Sequence, residues 1–105
     1  MAGSRREMLQ QFLEQNPNDA FARYGLAMEE VREGHAEAAL AQFEQVMTEH
    51  PDYCAAYQQA GQLLLSLERR EQARQVLERG IATAARQGNA HARGEMQALL
   101  EETGG

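Results

Sequence analysis

Shifted along itself by 34 residues, the chain meets itself in register. Pro17 falls on Pro51, Ala22 on Ala56, Ala27 on Gly61 and Val31 on Leu65. Farther along, Glu37 falls on Glu71, Ala39 on Ala73, Phe43 on Leu77, Glu44 on Glu78 and Met47 on Ile81. The ends obey the same shift. Leu9 meets Phe43 and Leu13 meets Met47, while Ala90 falls on Ala56, His91 on Tyr57 and Leu99 on Leu65. A period of this length means that one supersecondary unit is stacked on copies of itself, each covering the face its neighbour leaves open.

The repeating unit reads as a pair of helices. Alanine (18), glutamine (12) and glutamate (14) are abundant, and the β-branched residues that favour strands are scarce. Six helices follow from caps, breakers and apolar spacing. The first runs over 4–15, where Ser4 and Glu7 form a capping-box pattern and Leu9, Phe12 and Leu13 make one apolar face. Asn16-Pro17-Asn18-Asp19 ends it and caps a second helix over 20–32, with Ala20, Tyr24, Ala27, Met28 and Val31 as its stripe. Gly34 turns the chain into a third helix over 36–49, with Ala39, Leu40, Phe43, Val46 and Met47 on one face. His50-Pro51-Asp52 breaks that helix. The fourth runs over 53–67, the fifth over 70–86, and after Gly88-Asn89 the last covers 90–102, with Met96, Leu99 and Leu100. The short linkers require antiparallel neighbours, and Gly104-Gly105 should fray. Gly80 lies inside the fifth helix, where propensity alone makes alanine neutral or stabilising and leucine too large.

On these residues the chain resembles the tetratricopeptide-repeat family over about 5–102. The resemblance rests on the small pair Ala27 and Gly61, the alanines Ala39 and Ala73, the large apolar Phe43 and Leu77, and Pro51. It implies an all-α, right-handed α-solenoid of antiparallel helix pairs, six helices in one domain spanning 1–105. A trailing half-repeat (4–16) precedes two full repeats (20–53 and 54–87), and a closing helix (88–102) follows. Small residues let the leading and trailing helices of a pair approach closely, and the large residue fills the gap beside them. Some slots depart from the family pattern: Arg23 stands where an aromatic is usual, Glu30 where a tyrosine is usual, and Ala85 where a terminal proline is usual.

Chemistry is hard to assemble from what remains. The histidines His35, His50 and His91 are far apart in sequence, and Pro51 separates His50 from Cys54, so neither a metal site nor a bound cofactor is expected. Gly25, Gly34, Gly61 and Gly80 are scattered and form no phosphate loop. Ser4, Ser66, Thr48, Thr83 and Thr103 have no evident base partner. Glu29-Glu30 reads as a solvated helix edge, since adjacent residues point about 100° apart. The expectation is a protein that is not an enzyme. A net charge of −6 argues against nucleic acid. A lone cysteine excludes an internal disulfide. The sequence from Met1 to Glu7 has no apolar stretch behind its arginines to make a signal peptide, and no run is long enough for a membrane span. A cytoplasmic location is therefore expected.

What is left is surface. In a helical-repeat solenoid the leading helices line a concave face. The residues there would be Phe21, Tyr24, Met28 and Val31 on the second helix, with Gln58, Gln62 and Leu65 on the fourth. Asn89, Arg93 and Met96 would join them from the last. His91 occupies an aromatic slot and is expected to pack. Tyrosine and methionine suit recognition of a helix or extended peptide, and the acidic chain suits a neutral or basic protein partner. Some members of the resembled family hold chaperone C-termini with a lysine, asparagine and arginine clamp. Here those slots hold Tyr24, Met28, Gln59, Asn89 and Arg93. With both lysines replaced, the charge to hold two carboxylates is missing, so a chaperone tail is not expected. The alternative is a structural or self-associating subunit of a larger assembly, a homodimer for example, that stacks through Leu9, Phe12, Leu99 or Leu100.

Overall fold

The computed structural model describes residues 4–104. Met1–Gly3, which begin the stretch read for a signal peptide, and Gly105 lie outside the described residues. Those described form six α-helices and no strand. They are α1 (Arg5–Gln15), α2 (Ala20–Arg32), α3 (Ala36–Glu49), α4 (Cys54–Ser66), α5 (Arg70–Gln87) and α6 (Ala90–Glu101). The caps act where the sequence puts them. Ser4 and Glu7 close a reciprocal capping box, Asp19 accepts from the Ala22 amide at 2.8 Å, and Asn89 accepts from the Ala92 amide at 3.0 Å. Each satisfies a backbone donor that the first helical turn leaves open.

The chain divides into two compact units, Met1–His50 with α1–α3 and Pro51–Gly105 with α4–α6. In the first, α1 lies antiparallel to α2. Arg5 reaches Glu29 and Arg6 reaches Glu33 at the other end of α2, and Leu9 lies over Gly25. α3 packs against α2 through Tyr24 and Phe43, whose rings are 6.0 Å apart. Arg23, in its aromatic slot, donates to Gln42 Oε1 at 2.8 Å and to the Pro17 carbonyl at 3.0 Å. Leu13, Ala22 and Leu26 form a small core with Leu9 against it, while Ala27, Ala39, Phe43, Val46 and Met47 are buried.

The stripe expected on α2 is displaced. Its buried residues are Ala22, Leu26, Ala27, Glu29 and Glu30, and Val31 is exposed. α2 packs against α1 and against α3, so it buries a wider arc than one neighbour would require. Glu29 and Glu30 are therefore no solvated edge: their relative exposures are 7% and 6%. Glu29 is held by Arg32 at 2.8 Å and Arg5 at 3.2 Å. Glu30 meets His35 Nδ1 at 3.0 Å. Buried carboxylates persist when they are paired in this way.

In the second unit α4 and α5 run antiparallel at close range. An added Cβ on Gly61 would sit 2.5 Å from Leu77 Cδ2, and one on Gly80 would sit 2.6 Å from Tyr57 Cβ and 2.5 Å from Met96 Sδ. The small residues are thus notches into which the facing helix fits. This overturns the expectation for Gly80, because alanine has no room there. Tyr57 is pinned from three directions: its hydroxyl donates to the Pro51 carbonyl at 2.8 Å, Arg79 lies 5.4 Å from its ring centre, and its Cβ meets Gly80. α6 packs on both α5 and α4, with Met96 fully buried. An uncharged α4 between two neighbours accounts for the absence of charge in its sequence.

The α2–α3 and α4–α5 turns repeat as well. Gly34 follows α2 with φ +83°, and Glu68, its equivalent one period later, follows α4 with φ +59°. The next amide in each turn bonds back five residues, His35 to the Glu30 carbonyl at 2.8 Å and Arg69 to the Leu64 carbonyl at 2.9 Å. A left-handed backbone costs a residue with a Cβ about 1–2 kcal/mol. Glu68→Gly should therefore raise unfolding stability by about 1 kcal/mol in urea melts. A loss of stability would show that the glutamate side chain holds the turn.

Candidate functional site

Among the described residues the exposed large apolar ones are Met8, Phe12, Phe21 and Val31, which lie in the first unit. Phe21 is the most open, at 73%. Phe21, Tyr24, Met28 and Val31 recur at helical spacing, so α2 carries them on one side. Tyr24 and Met28 are half-buried, and Tyr24 leans on Phe43. The face is therefore a graded apolar strip, fixed at its middle by the core and open at Phe21 and Val31.

The second unit presents a different surface. On α4, Gln62 is exposed while Gln58 and Leu65 are half-buried. Gln58 donates to Glu95 Oε1 at 3.1 Å, which ties α4 to α6. Asn89, which caps α6, and Arg93 on that helix are exposed, and they line a cavity of about 120 Å³ with Ala84, Ala85, Gly88 and Ala90. The Asn89 carbonyl is already committed to capping α6. Met96 does not belong to this surface. It is fully buried, in the notch left by Gly80, because α6 turns its one wholly buried side chain toward α5. His91 also departs from expectation: its side chain is 84% exposed and pairs with Glu95 at 3.4 Å. One turn of helix separates the two, and solvent rather than a neighbouring helix covers the imidazole.

Sequence reasoning missed Glu95 as the link between α4 and α6, and it missed the charge knot around the α2–α3 turn. There, donor atoms of Glu30, Glu33 and His35 lie within 4.8 Å of one another, a set of the type that binds divalent ions. Arg6 Nε stands 3.0 Å from Glu33 Oε1 and supplies positive charge, so the arrangement already works as an ion-pair network that joins α1, α2 and the turn. Cys54, at the start of α4, is half-buried, and burial pushes its thiol above the ordinary value. A protonated thiol is a poor nucleophile.

A family model described as a tetratricopeptide repeat matches residues 30–100. A TPR repeat-containing protein of Pseudomonas aeruginosa is 30% identical over 96 residues, 91% of either chain. Among solved structures, a tetratricopeptide repeat domain protein from Salinibacter ruber shares 33% identity and a TM-score of 0.78, covering 83% of this chain and 88% of that one. The TPR2B domain of yeast Sti1, solved in a complex with pHsp70, superposes with a TM-score of 0.88 over 94% of this chain and 79% of its own. Its 15% identity makes that a likeness of fold.

Proposed function

The chain belongs to the tetratricopeptide-repeat family, and from that premise we propose that it is a protein-interaction module that binds a peptide or helix on its leading helices. The observation that carries this reading is the open apolar strip of α2, above all Phe21. A phenylalanine that is 73% exposed contributes little to the fold, yet it offers a large rigid apolar contact to a partner. Met28 and Tyr24 lie beside it on a surface that side-chain flexibility can reshape. The second unit offers a polar face of its own, with Gln62 and Leu65 on α4 and with Asn89 and Arg93 on α6. The net charge of −6 favours a neutral or basic partner, whose association weakens as salt is added. A bound segment would place apolar anchors on α2 at helical or alternate spacing.

The pHsp70 partner of the yeast domain does not carry over. The clamp slots hold Tyr24, Met28, Gln59, Asn89 and Arg93 with no lysine among them, and Arg93 alone gives one positive charge where a pair of carboxylates needs more.

Peptides selected from a random library against the folded chain provide the test. Phe21→Ala should weaken their binding by about 1–3 kcal/mol with an unchanged thermal melt, since the side chain is mostly in solvent. Tyr24→Ala and Met28→Ala should weaken it similarly. Glu44→Gln and Glu78→Gln, on the exposed sides of α3 and α5, should leave it intact. Binding that survives all three apolar changes and fails with the two glutamate changes would place the partner on the trailing helices instead.

A further inference from the structure

The repeat register sorts the helices into leading (α2, α4, α6) and trailing (α1, α3, α5). α2 pairs with α3 and α4 with α5. Among the described residues α1 and α6 each keep one face that a partner of the opposite kind would cover. In the complete pairs that face is well used: Phe43 meets Tyr24, Gln42 takes a hydrogen bond from Arg23, and Gly80 meets Tyr57. Their equivalents on α1 are Leu9, Met8 and Phe12. Met8 is 58% and Phe12 47% exposed, whereas Val46, one period after Phe12, is fully buried. The leading side shows the same gap. Tyr57, Ala60, Gly61 and Leu64 of α4 are all buried. Their equivalents on α6, His91, Gly94, Glu95 and Ala98, are all exposed, and a Cβ on Gly94 would touch nothing within 4 Å.

The two open faces fit each other. α1 projects two long apolar side chains, and α6 offers the small Gly94 and Ala98. The slots that hold small residues in both complete pairs, Ala27 and Gly61 leading with Ala39 and Ala73 trailing, hold Glu95 on α6 and Arg5 on α1. Their charges are opposite. Charge along the helices agrees as well. α1 begins with Arg5, Arg6 and Glu7, net positive, and carries Glu14 near its end, while α6 has Arg93 in its first turn and ends with Glu101 and Glu102. Antiparallel docking, the geometry of both complete pairs, sets each positive end against a negative one.

We propose that α6 of one molecule docks antiparallel on α1 of a second copy, head to tail, with Phe12 as its apolar centre and Arg5 facing Glu95. The contact completes a helix pair from two half-repeats. Arg5 and Glu95 bring existing intrachain partners, Glu29 for one and Gln58 and His91 for the other, so the new pair extends networks already in place. The contact is heterologous and leaves a free end on each molecule. It goes beyond the peptide-binding reading, uses neither Phe21 nor Met28, and its failure would leave that reading standing.

Sedimentation velocity over a concentration series, at low and at high salt, tests it. The weight-average mass of the natural chain should rise with concentration at low salt and fall back when salt screens the charges. Arg5→Glu and Glu95→Arg should each weaken association at least about tenfold. The double variant should recover to within about threefold, as coupled pairs do, and an equimolar mixture of the two single variants should associate where each alone does not. Phe12→Gln, at an exposed position, should weaken association with an unchanged melt and so guards against a charge variant that fails to fold. A natural chain that stays monomeric at every concentration would overturn the proposal. So would association that Glu95→Arg leaves untouched, since α1 would then be pairing with something other than α6.

Discussion

A chain truncated after Gly88 will melt at least about 10 °C below the full chain and will aggregate on heating. α6 is what covers α4 and α5 on that side. Its Met96 side chain is fully buried and sits against Gly80, and Thr103 just beyond the helix is buried too. Removing a buried methionine side chain alone costs about 2–5 kcal/mol. At roughly 4–8 °C per kcal/mol for a domain of this size, the lower bounds for this one side chain alone give a fall of about 8 °C. The rest of the helix adds to it, and the uncovered apolar surface favours aggregation. Differential scanning calorimetry of the truncated chain checks this. An unchanged melt from a monomeric sample would mean that α6 is a loose tail.

Gly80→Ala should destabilise the chain by about 1–3 kcal/mol, and Gly80→Leu should lie at or beyond the upper end of that range. Helix propensity taken alone gives the opposite sign for alanine, a gain of about 1 kcal/mol. Packing wins because the new Cβ would lie 2.6 Å from Tyr57 Cβ. Met96 is flexible and can swing its sulfur aside, but Tyr57 Cβ is one bond from the backbone of α4. That backbone is held by the hydroxyl bond to Pro51 and by the fit of Gly61 over Leu77. Relief therefore requires α5 to move away from α4. Urea melts read the difference directly, and equal stability of the natural and leucine chains would show that the α4–α5 contact is looser than the geometry has it.

The helices were legible because their signals are local. Ser4, Asp19, Gly34, Pro51 and Gly88 stop or start the chain with their own side chains or backbone angles, and the boundaries fall within a residue or so of the expected ones. That α2 packs on α3 and α4 on α5 was legible from the period, since each repeating unit reads as a pair of helices joined by a short turn. What the sequence hid depends on partners distant in the chain. Glu29 reads as a surface residue until Arg5 of α1 arrives to hold it, and Glu30 until the turn brings His35 back. Gly80 reads as a weak spot in a helix until Tyr57 occupies the space beside it. Met96 and His91 exchange their expected places because α6 is covered on one side only. The residue that meets the Gly80 notch is buried, and the one in the aromatic slot has nothing to pack on. Phe21 was legible as a surface residue of the leading face, but its extreme openness needed the structure.

The central claim is that a partner is recognised on the leading helix α2. Amide chemical-shift mapping of the labelled chain, titrated with a library-selected peptide, tests it most directly. The account predicts that the largest shifts cluster at Phe21, Tyr24, Met28 and Val31. Shifts centred on the exposed residues of α3 and α5, around Glu44 and Glu78, with Phe21 unmoved, would contradict it.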